Sequence, residues 1–125
     1  MKWLLDTNAL IWLFEGSPRM TRAKELFSPA DTQVFISVIS WWEIAIKSRA
    51  GKLPFTVSQI EAFVSGYDFY EMPLYKKPLN TYLELPHLHK DPFDHMLLAQ
   101  AISYPMRFIT GDSVLAKYSS LVVVV

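Results

Sequence analysis

The sequence contains no cysteine among its 125 residues. This absence excludes a disulfide framework, a zinc site with thiolate ligands and a catalytic cysteine. It is also typical of a chain that works in a reducing compartment. The length is close to that of one ordinary domain, and we therefore expect a single domain over residues 1–125.

Long apolar runs are also missing. No stretch approaches the roughly 20 apolar residues that a membrane-spanning helix needs. The N-terminal segment reaches Asp6 too early for the apolar region of a secretory signal peptide. We therefore expect a cytoplasmic protein without a membrane partner.

The chain has no excess of charge of either sign, because 12 basic residues balance 12 acidic ones. A balanced charge argues against a surface that coats nucleic acid broadly. It does not exclude a nuclease, since acids gathered at one site leave the remaining surface basic. Three groups of basic side chains could contact phosphate or could be ordinary solvated helix faces: Arg19, Arg22 and Lys24; Lys47, Arg49 and Lys52; Lys76 and Lys77.

Short apolar runs alternate with helical stretches along the chain. The predicted strands are Lys2–Leu5, Gln33–Ser37, Asp68–Met72, Arg107–Thr110 and Leu121–Val125. The predicted helices are Asn8–Glu15, Arg19–Phe27, Ser40–Arg49, Ser58–Gly66, Leu79–Leu85 and Pro92–Ser103, with a helical turn at Ser113–Tyr118. This alternation predicts right-handed crossovers and an α/β fold, a three-layer α/β/α sandwich with a mostly parallel sheet of four to five strands.

In such a sheet, ligands bind beyond the carboxyl ends of the strands, and four acids are predicted there. Asp6 follows the first strand and Asp112 follows the fourth. Glu43 and Asp94 lie in the first turns of the helices after strand two and before strand four. Crowded carboxylates raise one another's pKa, and a hard cation such as Mg²⁺ relieves their repulsion. The pattern predicts a metal site with all four acids as ligands and catalytic residues, where the ion polarises a phosphoryl oxygen and activates water.

Each acid also has a purely structural interpretation. Two of them, Asp6 and Asp112, fit helix N-caps, each worth about 1 kcal/mol. Asp91 fits an N-cap before Pro92, and Asp94 then lies at the third helical position, where an acid suits the helix dipole. Glu43 could form a capping box with Ser40 or a helical ion pair with Lys47. Independent caps would have no reason to gather at one edge of one sheet, and the conjunction therefore favours a metal site.

The segments that carry these acids resemble the PIN-domain ribonucleases, and most of all the VapC-like toxins of toxin–antitoxin pairs. The segments are Leu4-Leu5-Asp6-Thr7-Asn8, Ser40-Trp41-Trp42-Glu43-Ile44-Ala45, Asp91-Pro92-Phe93-Asp94 with Leu98-Ala99-Gln100-Ala101, and Thr110-Gly111-Asp112. Their order and spacing match over nearly the whole chain. Between about Leu53 and His89 the resemblance rests on length and pattern only.

The resemblance implies a function for each matched position. In the family, the four acids bind Mg²⁺ or Mn²⁺ and activate water that cleaves an RNA phosphodiester. Thr7, Asn8 and Thr110 match polar positions beside the site, and we expect them to orient ligands or water. Of the two carboxylates in the Asp-Pro-Phe-Asp segment, Asp91 is expected to cap the helix and Asp94 to bind the metal. Family members usually form homodimers and are held inactive by a partner antitoxin protein.

Other classes of protein fit the sequence less well. A phosphorelay receiver domain would have paired acids after strand one, whereas Asp6 stands alone there. A metal-dependent phosphatase would have an Asp-x-Asp motif, where this chain has Asp6-Thr7-Asn8. A metal-binding module that retains the fold and the acids without catalysis, and binds RNA or protein, remains the alternative function.

Three histidines, His87, His89 and His95, raise the question of a zinc site or a general base. Scattered histidines are a thin ligand set, and surface histidines are common in irregular segments such as the one after Pro86. His95 adjoins Asp94 but should point to another face of its helix. We therefore expect none of the three to take part.

Overall fold

The computed structural model describes residues 1–87 and 91–125. Within these residues the strands are β1 (Lys2–Leu5), β2 (Gln33–Ser37), β3 (Tyr70–Met72), β4 (Arg107–Thr110) and β5 (Val122–Val124). The helices are α1 (Thr7–Glu15), α2 (Thr21–Leu26), α3 (Val38–Arg49), α4 (Val57–Val64), α5 (Lys77–Glu84) and α6 (Pro92–Ser103). Two 3₁₀ helices, Pro18–Met20 and Ser113–Lys117, complete the described chain.

The strands form one parallel sheet in the order β3-β2-β1-β4-β5. Successive strands run outward from β1 to β3, and the chain then crosses to the other side of β1 to form β4 and β5. The strand order therefore reverses between β1 and β4, which is where open α/β sheets form their ligand crevice. A receiver domain has the order 2-1-3-4-5, and the observed order excludes that class.

The sheet is covered on both faces. On one face, Leu4 and Phe108 pack with Leu97 and Leu98 of α6. On the other face, Leu5 and its neighbours in β4 and α1 form a second cluster, and a third lies where α1, α3 and α4 meet. The alternation of Leu4 and Leu5 between these clusters is the period of two of a buried strand. The predicted three-layer α/β/α fold is confirmed.

Several predicted helix starts are wrong by a few residues, because the side chain that caps the helix was misidentified. Helix α3 begins directly after β2, where the Ser37 hydroxyl accepts a hydrogen bond from the Ile39 amide at 3.0 Å. Of the two structural interpretations of Glu43, the capping box with Ser40 is therefore excluded, whereas the ion pair with Lys47 is present. Helix α4 is capped by Thr56 in a reciprocal box with Gln59, and it therefore begins at Val57 rather than at the predicted Ser58.

Other bounds also differ from the predicted ones. The predicted helix Arg19–Phe27 is divided into the 3₁₀ helix Pro18–Met20 and α2, since Ser17 caps the first segment separately. Helix α5 begins at Lys77, with proline in its first turn, and β3 is shorter than predicted. None of the described helices has the length and apolar character that would let it cross a membrane.

Candidate metal centre

Asp6 lies at the reversal of strand order. It follows β1 directly, and its backbone amide donates a hydrogen bond to the Ile109 carbonyl of β4 at 2.9 Å. Its carboxylate caps α1 by accepting a hydrogen bond from the Ala9 amide at 2.7 Å. The residue is only 2% exposed. A carboxylate this deeply buried is held at the crevice by the backbone of three elements.

The turn that follows β4 places a second acid beside the first. The Thr110 hydroxyl donates a hydrogen bond to Asp6 and accepts one from the Asp112 amide at 3.0 Å. Asp112 in turn caps the 3₁₀ helix through the Val114 amide at 3.0 Å. Thr110 therefore couples the positions of the two acids.

Gly111 lets this turn pack against α1. A Cβ atom at Gly111 would lie 2.2 Å from Cη2 of Trp12. Only glycine allows the turn and the Trp12 ring to approach this closely without displacing the ring. The Thr110-Gly111-Asp112 motif thus supplies a carboxylate and also the closely packed turn that fixes its position.

Glu43 reaches the same region from α3 and is 3% exposed. Its Oε2 atom forms an ion pair with Lys47 Nζ at 2.7 Å, one helical turn along. Its Oε1 atom is buried and has no hydrogen-bond partner among the described residues. A buried carboxylate oxygen without a hydrogen-bond partner destabilises the folded state, and a native domain contains at most a few such atoms.

Asp94 stands in the first turn of α6. Asp91 is the N-cap of this helix and accepts hydrogen bonds from the Phe93 and Asp94 amides at 2.9 and 3.3 Å. The position of Asp91 agrees with its expected capping role. Asp94 is partly buried and projects from the turn that Asp91 fixes.

The acids interact electrostatically. Burial raises the pKa of Asp6 from its ordinary 3.8 to about 6; the charges on Glu43 and Asp112 add to this effect, and the hydrogen bonds from Thr110 and Ala9 oppose it. Burial also raises the pKa of Asp94 to about 8, and the further causes, in decreasing order, are the charges on these acids: Asp91, Asp6, Glu43 and Asp112. The four predicted ligands therefore lie at one edge of the sheet and close enough to disfavour one another's ionisation.

The type of donor atom in this arrangement suits a hard divalent cation. The donors are carboxylate oxygens, which Mg²⁺ and Mn²⁺ prefer. A bound cation would also stabilise the ionised forms of Asp6 and Asp94, which burial and neighbouring charges disfavour. Oε1 of Glu43, which no described residue engages, is available as a ligand. Within residues 1–87 and 91–125, no group of three or more acidic or histidine side chains is placed so that it could hold a metal ion by itself. Mg²⁺ commonly retains several waters beside one or two carboxylates, and it does not require such a set.

The other polar residues singled out in the sequence lie around this centre in different ways. Thr110 contacts Asp6, as described above. The Thr7 hydroxyl donates to Ser40 Oγ at 3.1 Å and so ties α1 to α3, while Asn8 is exposed. These positions leave the expected orienting roles of Thr7 and Asn8 as predictions.

The two histidines in the described part of the chain differ in burial. His95 is buried and its ring pairs with the Tyr118 hydroxyl at 3.3 Å, on a face of α6 different from that of Asp94. His87 is exposed, and His89 lies outside the described residues.

Sequence reasoning gave no role to Gln100, which holds the end of β2. Its Oε1 accepts a hydrogen bond from the Ser37 hydroxyl at 2.5 Å, and its Nε2 donates to the Pro73 carbonyl at 3.2 Å. Since Ser37 caps α3, these bonds help to fix the helix that carries Glu43. The available signal was a fully buried amide within an otherwise apolar helix, a residue type that requires hydrogen-bond partners.

Comparison with solved structures identifies the same architecture in other proteins. A chain of VapBC2 from Rickettsia felis, bound to a DNA fragment from its promoter, superposes with a TM-score of 0.76 at 18% identity, covering 98% of this chain and 96% of that one. A chain of a toxin–antitoxin complex from Klebsiella pneumoniae gives 0.71 at 24% identity, covering 96% and 94%. A chain of VapBC-1 from nontypeable Haemophilus influenzae gives 0.68 at 19% identity, covering 94% and 92%. At these identities the likeness establishes the fold.

No curated protein sequence matches this chain significantly. The family model of the PIN domain, however, matches residues 3–121. The match runs from the second residue of β1 to beyond β4, and it includes the six described α-helices and the four acids of the candidate metal centre. The chain therefore belongs to the PIN-domain family, as its motifs predicted.

Proposed function

We propose that this protein is a Mg²⁺-dependent endoribonuclease, able to use Mn²⁺ as well, and that it is the toxin of a toxin–antitoxin pair. The observation that carries the proposal is the acidic crevice between β1 and β4. There, burial and neighbouring charges raise the pKa of Asp94 to about 8. One buried oxygen of Glu43 has no hydrogen-bond partner in the part of the chain that the structure describes. Membership of a family of nucleases supports hydrolysis of a phosphodiester as the reaction.

In this proposal the ion, when bound, polarises a phosphoryl oxygen and lowers the pKa of its water. The protein's own groups prepare that site. The Ala9 amide and the Thr110 hydroxyl hold Asp6, the Val114 amide holds Asp112, and the cap at Asp91 sets the first turn that carries Asp94. Because backbone groups and a buried hydroxyl fix these carboxylates, little side-chain order has to be gained when the ion binds.

An antitoxin protein is proposed as the regulatory partner. The matched structures are described as VapBC and toxin–antitoxin complexes, and those proteins share this fold over nearly their full length. The cytoplasm, where both RNA and an antitoxin would be met, is the proposed location.

A second copy of the chain is proposed as a further partner. Large apolar side chains are exposed on α3, on α5 and in the segment before α5: Trp42, Leu74, Tyr75, Leu79 and Leu83. Leu83 is 79% exposed and Trp42 is 58% exposed. Aromatic residues are enriched at subunit interfaces, and homodimer interfaces are more apolar than the rest of a protein surface. We therefore propose this apolar face, defined by these five residues, as the contact in a homodimer.

The test of the activity is cleavage of end-labelled RNA by purified protein, with Mg²⁺, Mn²⁺ or EDTA. Asp6→Asn removes a proposed ligand. Asp68→Asn is the matched control, because Asp68 is an exposed acid that precedes β3 and lies at the opposite edge of the sheet. We expect metal-dependent cleavage by the wild type and by Asp68→Asn, and none by Asp6→Asn.

Equal cleavage by all three proteins would identify a contaminating ribonuclease. Metal binding without cleavage of transfer, ribosomal or messenger RNA would instead favour the non-catalytic binding module. For the toxin role, induced expression in a bacterium should arrest growth with the wild type and not with Asp6→Asn at equal protein level.

A further inference from the structure

The ion pair between Lys47 and Glu43 is asymmetric. Lys47 Nζ lies 2.7 Å from Oε2 of Glu43, while Oε1 is buried and has no hydrogen-bond partner among the described residues. The lysine side chain is 37% exposed, whereas that of the glutamate is 4% exposed. Lys47 therefore reaches inward from the surface along α3 and engages one oxygen of a carboxylate that solvent does not reach.

If the ion pair served only to compensate the cost of burying the Glu43 charge, the lack of a partner for Oε1 among the described residues would have no explanation. A carboxylate offers about four lone-pair sites, and the low exposure of Glu43 prevents water from using those on Oε1. An ammonium group is a compact point charge that can bind one oxygen, whereas a guanidinium fork tends to take both. Lys47 thus restrains the Glu43 carboxylate through Oε2 and leaves Oε1 able to bind another group.

Glu43 lies close enough to two other acids of the candidate metal centre to interact with them electrostatically. Glu43 interacts with Asp6 and Asp94 strongly enough to contribute to the raised pKa of each. Lys47 lies one turn further along α3 than Glu43. Burial opposes the shift, but the hydrogen bond and charge of Glu43, with smaller contributions from the charges on Asp91 and Asp94, raise the pKa of Lys47. Lys47 consequently holds Glu43 from the side away from the N-terminal end of α3.

We infer that Lys47 is a positioning residue of the metal centre: by binding Oε2 of Glu43, it fixes the carboxylate so that Oε1 is presented to the cation as a single-oxygen ligand. This inference rests on the proposed metal site. Partners that orient metal ligands in this way typically contribute about 10- to 100-fold to metal affinity. Lys47 acts through Glu43 and needs no contact with RNA.

The experiment is a titration of the metal-free protein with Mn²⁺ alone, followed by electron paramagnetic resonance, with no RNA present. The variants are Lys47→Met, Glu43→Gln and the double variant, and Lys52→Met is the matched control because Lys52 is exposed beyond the end of α3. Near-ultraviolet circular dichroism at the titration temperature confirms that each variant is folded.

We expect Lys47→Met to weaken Mn²⁺ binding about tenfold in the wild-type background and by less than about twofold in the Glu43→Gln background. Lys52→Met should bind Mn²⁺ as the wild type does. This pattern would show that Lys47 acts through the carboxylate of Glu43.

Other patterns overturn the inference. Tighter Mn²⁺ binding by Lys47→Met in both backgrounds would mean that Lys47 acts only as a positive charge that repels the cation. Unchanged affinity with a lower melting temperature would mean that the ion pair only stabilises the fold. Absence of Mn²⁺ binding by the wild type itself would remove the proposed metal site and this inference with it, whereas normal wild-type binding with no effect of Lys47→Met would remove the inference alone.

Discussion

Replacement of Asp6 by asparagine should stabilise the metal-free protein at alkaline pH. Asparagine is as good an N-cap as aspartate, so the hydrogen bond from the Ala9 amide is kept while the buried charge is removed. The ionised carboxylate is disfavoured in the folded state, since its pKa is raised from 3.8 to about 6. The substitution therefore separates the cost of the charge from the benefit of the cap.

The sign and size of the effect follow from the two pKa values. A carboxyl group whose pKa is higher in the folded state binds its proton more tightly there, so its contribution to stability is lost as pH rises from about 3.8 to about 6. The shift of about 2 pH units corresponds to roughly 3 kcal/mol against folding at about pH 8, and to roughly 1 kcal/mol at about pH 4.5. Asp6→Asn should remove this cost at both pH values. Asp6→Ala should remove it too but lose about 1 kcal/mol with the cap.

The assay is urea unfolding in EDTA at about pH 4.5 and about pH 8, with the free energy of unfolding compared between wild type and variants. The expected result is a gain for Asp6→Asn that is larger at the higher pH by roughly 2 kcal/mol. A variant that is less stable than the wild type at about pH 8, or a difference independent of pH, would refute the reasoning and leave Asp6 as an ordinary helix cap.

Further outcomes follow from the same site and surface. Saturating Mg²⁺ should raise the melting temperature of the wild type, by the equivalent of roughly 3 kcal/mol at 100 times the dissociation constant, and Asp94→Asn should abolish this shift in a thermal melt. Gly111→Ala should cost about 1–3 kcal/mol in urea unfolding, because its Cβ would lie 2.2 Å from the Trp12 ring, and the cost should shrink in a Trp12→Leu background; an unchanged cost there would disprove the clash. Leu83→Glu should give the monomer mass by light scattering where the wild type gives twice that mass, with no loss of melting temperature; a wild-type monomer at micromolar concentration would contradict the dimer.

Much of the fold could be predicted from the sequence, because its strands are short and continuously apolar. In the runs Lys2–Leu5 and Arg107–Thr110, the three residues after an exposed first residue are buried, and the observed bounds match the predicted ones. The acids at the carboxyl ends of these strands could be placed at one edge because parallel strands share their direction. Only the order of the strands was left open, since it depends on crossovers between residues distant in sequence.

The parts that failed depended on details of local hydrogen bonding. Val38 and Ile39 are β-branched and extend the pattern of β2, but Ser37 caps a helix at that point, and α3 therefore begins earlier than predicted. The asymmetry of the Glu43–Lys47 pair could not be predicted either. Spacing along a helix indicates that two side chains meet, but not which oxygen is engaged or whether the other is buried.

The most direct test of the central claim is the position of Mn²⁺ in crystals of this protein, located from its anomalous scattering. We expect a peak between the carboxylates at the β1–β4 crevice, coordinated by Asp6 and Asp94 with Glu43 or Asp112, and no peak there in Asp6→Asn. An ion bound elsewhere, or an empty crevice at a Mn²⁺ concentration that saturates binding in solution, would contradict it.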